Sequence, residues 1–158
     1  MPDDVIGMRR ALREAERAYA IGEVPIGAVI MDGDGNVISA GHNLRESAHD
    51  ATAHAEIIAI RRACRTLGRW RLTGLTLYVT IEPCPMCAGA IVMSRISRVV
   101  YGAADSKAGA CESLFNIPGC AALNHRPEVY GQVMADECHA LMRRFFNEQR
   151  EQKNIIDE

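Results

Sequence analysis

The sequence predicts an α/β fold: one domain over residues 1–158, with helices on both faces of a central sheet. Segments with the periodicity of amphipathic helices alternate with short apolar segments rich in β-branched residues, and this order favours a sheet that is covered on both faces. The length of 158 residues is typical of one domain, and 48% hydrophobic with 24% charged residues is ordinary globular composition.

The first third of the chain is predicted to form a helix and a β-hairpin. Apolar residues recur at steps of three and four over roughly residues 4–20, which predicts an amphipathic helix, and Gly22 suits its end. Residues 24–31 are predicted to form a buried strand. The Asp-Gly-Asp-Gly turn at residues 32–35 predicts that residues 36–40 return as its hairpin partner.

The middle third is predicted to contain two helices and two strands. Thr52 is the predicted N-cap of a helix that runs to about Leu67. Residues 75–81 are rich in β-branched residues and predict a strand. A further helix is expected to begin around Cys84, and residues 98–102 predict a short strand.

The last third begins with a segment, residues 103–127, that is rich in Gly, Ala and Asn and predicts no clear element. Residues 128–134 predict another strand. A long amphipathic helix is expected from residue 135 to about residue 153, with Cys138 on its apolar side.

The charge balance limits the partners that the protein can have. Lys and Arg number 18 against 20 Asp and Glu, so the formal charge of −2 excludes a basic coat for nucleic acid but not a local basic patch. The acidic start at Asp3 and Asp4 lacks the features of a signal peptide, and no apolar run approaches the roughly 20 residues of a membrane helix. We expect a cytoplasmic protein with reduced thiols and no membrane partner.

The strongest functional signal combines His54 and Glu56 with Cys84 and Cys87. One imidazole and two thiolates form the ligand set that suits tetrahedral Zn²⁺, and three protein ligands leave the fourth position open, as in catalytic zinc sites. Glu56 is a hard oxygen group beside this set. We interpret it as a proton carrier that does not bind the metal itself.

Helix geometry allows these four side chains to meet. Cys84 and Cys87 fall in the first turn of a helix, so both sulfurs can point the same way. His54 and Glu56 would point apart in mid-helix, but at a helix start both can face one site in front of it. The partial positive charge of two helix N-termini would favour thiolates there.

The alternative is a structural zinc site. Its fourth ligand would come from another His or from a cysteine outside the motif, namely Cys64, Cys111, Cys120 or Cys138. The His-x-Glu pattern and Pro83 before Cys84 argue against this alternative. We interpret the four other cysteines as small buried residues, and the roles of Cys111 and Cys120 stay open.

The two motifs resemble the H-x-E and P-C-x-x-C signature of zinc nucleobase deaminases. From about residue 5 to 150, the chain resembles the bacterial tRNA-specific adenosine deaminase family within the cytidine deaminase-like superfamily. The zinc motif alone would also fit guanine, cytosine and riboflavin-pathway deaminases. The Asn-His-Arg run at residues 124–126, together with Phe145, Phe146 and Arg150, favours the tRNA family.

The resemblance implies a three-layer α/β/α fold with a mixed central five-stranded sheet. It also implies the reaction, in which adenosine at the wobble position of a tRNA anticodon is hydrolysed to inosine and ammonia. One Zn²⁺ per subunit would be held by His54, Cys84 and Cys87. Glu56 would be the general acid and base that carries protons to the ring nitrogen and to the departing amine.

The resemblance further implies contacts with the tRNA anticodon stem-loop. The candidate contacts are Asn43, Asp105, Lys107, Asn124, Phe146 and Arg150. His125 could contact RNA or hold a turn. The arginines between residues 61 and 71 are interpreted as a solvated helix face, whereas the basic residues beside the Phe pair could form a platform for bases and phosphates.

The family also implies a homodimer, and DNA is not an expected partner. Apolar residues such as Met93 and Ile96 continue past the expected buried face, although they could equally belong to the core. Two other functions stay open at this point. One is a small-molecule deaminase acting on guanine or cytosine. The other is a non-catalytic RNA-binding or zinc-stabilised partner subunit, which would have no need of Glu56.

Overall fold

The computed structural model describes residues 3–157 as a five-stranded mixed sheet between two layers of helices. Met1, Pro2 and Glu158, which the predicted domain includes, lie outside the described residues. The elements are, in order, α1 (Asp4–Ala20), β1 (Gly27–Met31), β2 (Val37–His42), α2 (Ala55–Leu67), β3 (Thr76–Ile81), α3 (Pro85–Met93), β4 (Arg98–Ala103), β5 (Glu128–Tyr130) and α4 (Ala135–Ile156). This order of helices and strands confirms the prediction.

The strand order in the sheet is β2-β1-β3-β4-β5. β1 is antiparallel to both β2 and β3, whereas β3, β4 and β5 are parallel to one another. β2 therefore runs in the same direction as β3. As a result, the carboxyl ends of β2, β3 and β4 lie at the same edge of the sheet.

The helices form the two outer layers. α1 and α4 pack on one face, where Met8 and Cys138 join a cluster with Tyr78 of β3. α2 and α3 pack on the other face, where Ala59 and Ile91 join a second cluster around the strands. The expected three-layer α/β/α arrangement with a mixed sheet is confirmed.

Two glycines let helices approach the sheet closely. A Cβ atom at Gly27 of β1 would collide with the backbone of Ala11 and Ala15 in α1. At Gly41 of β2 it would lie 2.8 Å from the carbonyl oxygen of Ala55 in α2. At these two positions, each helix therefore packs directly against the backbone of the strand, with no strand side chain between them.

An ion pair fixes the first turn of α1 to the amino end of the parallel strands. Both terminal nitrogens of Arg98 donate to the Asp4 carboxylate at 2.6 Å, and the Tyr78 hydroxyl donates to it at 3.2 Å. The hydrogen bond from Arg98 holds the pKa of Asp4 below its ordinary value. This cluster lies at the edge of the sheet opposite to the carboxyl ends of the strands.

Several predicted boundaries were wrong. β2 ends at His42 and α4 at Ile156, two and three residues later than predicted. Three further boundaries differ for a local reason. β1 begins at Gly27 because Pro25 lacks an N–H for the ladder, and the N–H of Ile26 turns back to the carbonyl of Val24 at 2.8 Å. β5 ends at Tyr130, and the positive φ angles of Gln132 and Met134 are incompatible with a longer strand.

The third of these boundaries is the start of α2. The Thr52 hydroxyl and N–H both bond to the Asp50 carboxylate, so Thr52 closes a turn before the helix and does not cap it. His54 is the N-cap residue, and the helix begins at Ala55. His54 therefore lies directly before the first residue of α2, at the N-terminus of the helix.

The cysteines outside the motif differ in burial. Cys111 and Cys138 are buried as predicted, and Cys64 is half-buried. Cys120 is exposed, contrary to prediction, because it lies in a surface turn of the loop before β5, where its N–H bonds to the carbonyl of Ile117. Within residues 3–157, no helix combines the length and apolar character needed to cross a membrane.

Candidate active site

The site lies where α2 and α3 begin. α2 follows β2 and α3 follows β3, and because these strands run in the same direction, both helix N-termini lie at one edge of the sheet. His54 is the N-cap of α2 and Cys84 the N-cap of α3, each with extended backbone. Neither side chain forms a capping hydrogen bond with its own helix, so both remain available to face each other.

The three predicted metal ligands come together. His54 Nδ1 lies 3.6 Å from Cys84 Sγ and 3.5 Å from Cys87 Sγ, and all three ligand atoms lie within 4.8 Å of one another. Zinc with bonds of about 2.3 Å to sulfur and about 2.05 Å to nitrogen would separate these atoms by about 3.6 Å in a tetrahedron. The cluster therefore has the donor set and the spacing that zinc requires.

Among residues 3–157, no other His, Cys, Asp or Glu side chain joins this cluster. The fourth ligand that a structural site would take from Cys64, Cys111, Cys120 or Cys138 is thus lacking in the described part of the chain. Three protein ligands with an open position are typical of a catalytic zinc site.

The two sulfurs differ in their affinity for a proton. A hydrogen bond from Cys87, outweighing the effect of burial and assisted by His54, lowers the pKa of Cys84 to about 4. The same bond, together with burial, raises the pKa of Cys87. A thiolate is therefore already favoured at Cys84, and a thiolate is the form that binds metal.

Glu56 is the second residue of α2 and is only 4% exposed. Burial raises the pKa of its carboxyl group, which favours a group that can hold a proton as well as release it. It lines the same cavity as His54 and Cys84. The structure thus brings together all four residues of the predicted zinc and proton-transfer site.

The cavity has a volume of about 200 Å³. Val24, Ile26 and Ile81 contribute apolar walls, and the zinc cluster with Glu56 contributes the polar part. An apolar cleft with a few convergent polar groups is the usual form of a small-molecule or nucleobase site.

Asn43 also lines this cavity and is buried. Its side-chain nitrogen donates to the carbonyl of Val24 at 3.3 Å, and its side-chain oxygen accepts from the N–H of Arg45 at 3.0 Å. One amide hydrogen and one lone pair remain for a ligand.

Asp105 lines the cavity from the loop after β4. Its carboxylate accepts from the N–H groups of Lys107 and Ala108, so it closes a turn as well as facing the cavity. Lys107 lies with Phe146 and Arg150 in two grooves that run beside α4. Phe146 is partly exposed and packs edge-to-face on Phe145 with ring centroids 5.4 Å apart.

Asn124 is the one candidate contact that the structure does not bring to the cavity or to the grooves beside α4. It is exposed in the loop before β5. The neighbouring His125 contacts the carbonyl oxygen of Ile96 through Nε2 at 2.6 Å, so it holds this loop against the end of α3. The arginines of α2 and the segment after it are exposed, as expected for a solvated face.

Sequence reasoning missed two buried carboxylates that hold the loops beside the cavity. Glu23 is 1% exposed and accepts from the N–H and hydroxyl of Ser47 and from the N–H of Glu46. Burial raises the pKa of Glu23, but these hydrogen bonds outweigh it and leave the pKa below its ordinary value. Glu82 holds the loop after β4 in a similar way. Their signal in the sequence was an acidic residue at the edge of an apolar segment.

Comparison with known proteins agrees with this geometry. Residues 1–103 match the family model of the cytidine and deoxycytidylate deaminase zinc-binding region. The fold and the cluster therefore define a hydrolytic zinc-dependent deaminase, with zinc as its cofactor. The tRNA-specific adenosine deaminase of Bacillus subtilis strain 168 is 48% identical over 153 residues, which cover 97% of this chain and 94% of the relative. The chain belongs to the tRNA-specific adenosine deaminase family.

Solved structures agree with this assignment. A structure from studies of A-to-I editing by tRNA:A34 deaminases at the wobble position of transfer RNA has a TM-score of 0.82 and 46% identity, covering 86% of this chain and 98% of that chain. A guanine deaminase from Bacillus subtilis has a TM-score of 0.61 and 32% identity, covering 92% of both chains. The chain is thus more similar to the tRNA deaminase by both measures.

Proposed function

We propose that this enzyme hydrolyses adenosine to inosine and ammonia at the wobble position of a tRNA anticodon. The observation that carries the proposal is the buried Glu56 beside the His54, Cys84 and Cys87 cluster, in a cavity flanked by the grooves of Lys107, Phe146 and Arg150. The tRNA-specific adenosine deaminases to which the chain is similar support the choice of substrate.

The reaction assigns roles to the residues of the metal cluster and to Glu56. His54, Cys84 and Cys87 would hold the zinc, which would lower the pKa of a water molecule in the site from about 16 in bulk water to about 7 and so supply a nucleophile near neutral pH. Glu56 takes the proton of that water and delivers it to N1 of the adenine ring. The water oxygen forms a bond to C6 as N1 is protonated. Glu56 then takes the proton of the resulting hydroxyl group on C6 and gives it to the amino group on C6, and the C6–N bond breaks to release ammonia.

The remaining residues hold and select the base. Val24, Ile26 and Ile81 line the cavity, so their apolar side chains would contact the purine and exclude water from the reacting carbon. The free donor and acceptor of Asn43 bind the purine or its ribose. A base in an anticodon loop is already partly unstacked, so moving it into the cavity costs less than it would in a duplex.

The grooves beside α4 are proposed to bind the nucleotides next to the edited base. Phe146 offers an exposed ring on which a base can stack, and Lys107 and Arg150 offer charges for phosphates. Asp105 is proposed to accept from a ribose hydroxyl, and Asn124 stays a proposed contact at a distance from the cavity. The cytoplasm, where tRNA is found, is the proposed location.

We also propose that the enzyme is a homodimer. Met93 on α3 is 69% exposed and lines an apolar groove with Ile60 and Trp70, whereas Ile96 is fully buried and belongs to the core. Sedimentation equilibrium is expected to give twice the mass of one chain, and Met93→Glu is expected to shift the protein towards one chain. A parent protein of single-chain mass would contradict this proposal.

A side-by-side assay tests the proposed substrate against the small-molecule alternative. The zinc-loaded protein is incubated with an anticodon stem-loop that carries a wobble adenosine and, separately, with free guanine, cytosine and cytidine. We expect inosine in the stem-loop and no ammonia from the three small molecules. Turnover of guanine without editing of the stem-loop would overturn the proposal, and no turnover of any of them would favour a non-catalytic subunit.

A further inference from the structure

Glu82 is a buried carboxylate that has no role in the proposed reaction. It lies between the end of β3 and the first ligand of α3, and it is 3% exposed. A charged side chain is buried at a cost unless hydrogen bonds or an opposite charge compensate it. Among the described residues, no Lys, Arg or His forms a salt bridge with Glu82, so the compensation comes from hydrogen bonds.

All five of these hydrogen bonds come from the loop after β4. Glu82 Oε2 accepts from the backbone N–H groups of Cys111, Glu112 and Ser113 at 3.1, 2.9 and 2.9 Å. Glu82 Oε1 accepts from the N–H of Asp105 at 3.2 Å and from the Ser113 hydroxyl. One carboxylate therefore ties both ends of the segment 105–113 to the edge of the sheet.

The backbone of the loop after β4 lies very close to the Glu82 carboxylate. A Cβ atom at Gly109 would lie 2.5 Å from the Glu82 carboxyl group, so the close approach requires glycine. The N–H of Ala110 also bonds to the carbonyl of Pro83 at 2.8 Å, beside the metal ligands. The loop therefore packs against Glu82 and Pro83, the two residues that precede Cys84.

The same segment carries side chains that face the substrate. Asp105 and Ala108 line the catalytic cavity, and Lys107 lies in the grooves beside α4. The Lys107 side chain is exposed, and within residues 3–157 it forms no salt bridge, so its position follows from the fold of its backbone. We propose that Glu82 is a positioning residue that holds segment 105–113 in the shape that binds RNA, which rests on the proposed tRNA substrate.

The chemistry of the anchor requires a carboxylate. All five groups that Glu82 contacts are donors, and a carboxylate has acceptors only. In Glu82→Gln one carboxylate oxygen is replaced by an NH₂ group, which is a donor. If it replaces Oε2, it faces the three N–H groups of Cys111, Glu112 and Ser113. If it replaces Oε1, it faces the N–H of Asp105 and the hydroxyl of Ser113. The side chain keeps its size, but one end of the segment loses its anchor.

Steady-state kinetics on the full, zinc-loaded protein test the proposal. With the wobble-adenosine stem-loop, Glu82→Gln is expected to raise KM about tenfold, to change kcat less than about threefold, and to leave the zinc content unchanged. Ser113→Ala removes one donor and is expected to raise KM by a smaller factor. It also keeps the proposal testable if Glu82→Gln fails to fold.

The matched control is Asp4→Asn, which removes the charge of the partly buried carboxylate that Arg98 contacts at the opposite edge of the sheet. It is expected to lower the unfolding temperature without changing KM, when all variants are assayed well below their unfolding transitions. An unchanged KM in Glu82→Gln, or a loss of zinc and kcat at constant KM, would overturn the positioning role.

Trypsin cleavage after Lys107 gives a readout without RNA. Glu82→Gln is expected to be cut at this bond faster than both the parent and Asp4→Asn, because segment 105–113 is no longer anchored. Equal cleavage rates in the three proteins would overturn the anchoring itself. If the parent does not edit the stem-loop, the proposed substrate fails, and the trypsin comparison still decides whether Glu82 holds the loop.

Discussion

Glu56→Ala is expected to lose deamination by a factor of at least about 100 while it keeps its zinc and its fold. The reason is that Glu56 is the residue proposed to carry the protons of the reaction, and His54, Cys84 and Cys87, as the proposed metal ligands, cannot take over that transfer. Glu56→Gln keeps the size of the side chain and is expected to be equally inactive. The measurements are inosine formation in the stem-loop, zinc per chain and the unfolding temperature.

The matched control for Glu56 is Asp136→Ala. Asp136 occupies the same second position of its helix, α4, but it is exposed. This variant is expected to keep its activity, because an exposed carboxylate there has no part in the site. A zinc content that falls together with activity in Glu56→Ala would contradict the assigned role and make Glu56 a metal ligand.

Cys87→Ala is expected to lose both zinc and activity. Among the described residues, Cys87 is one of three side chains that together could hold a metal ion, and a site with two ligands binds zinc far more weakly. The parent is expected to hold about one zinc per chain after dialysis and the variant close to none. Chelation followed by added zinc is expected to restore the parent but not Cys87→Ala.

Cys138→Ala is the matched control for the zinc experiment. Cys138 is as buried as Cys87, but it packs in the core under α4. Its replacement removes a buried thiol without touching the cluster, so zinc content and activity are expected to remain. Full zinc content and activity in Cys87→Ala would show that the cluster is not the metal site.

The order of the elements and the meeting of the His54, Cys84 and Cys87 side chains were predicted well because their signals are local. His54 with Glu56, and Cys84 with Cys87, each fall within one helix start, where spacing alone determines which side chains can face one site. The alternation of helices and strands likewise reflects periodicity over short windows. The only long-range step was to place two helix N-termini at one edge of the sheet.

The loops were predicted less well because their shape depends on contacts between distant residues. The segment 105–113 takes its shape from Glu82, more than twenty residues away along the chain. Ser47 similarly depends on Glu23. A buried acid and its backbone donors share no periodicity, so no pattern in the sequence could connect them. Asn124 shows the same limit, since its loop is placed by the contact of His125 with Ile96.

The site is proposed to act on one adenosine that an RNA loop presents to it. The most direct measurement uses an anticodon stem-loop that carries two unpaired adenosines, one at the wobble position and one elsewhere in the loop. After incubation with the zinc-loaded protein, nuclease digestion and mass spectrometry locate the inosine. We predict inosine at the wobble position only. The absence of inosine from both positions, or equal amounts of inosine at both, would contradict the proposed activity.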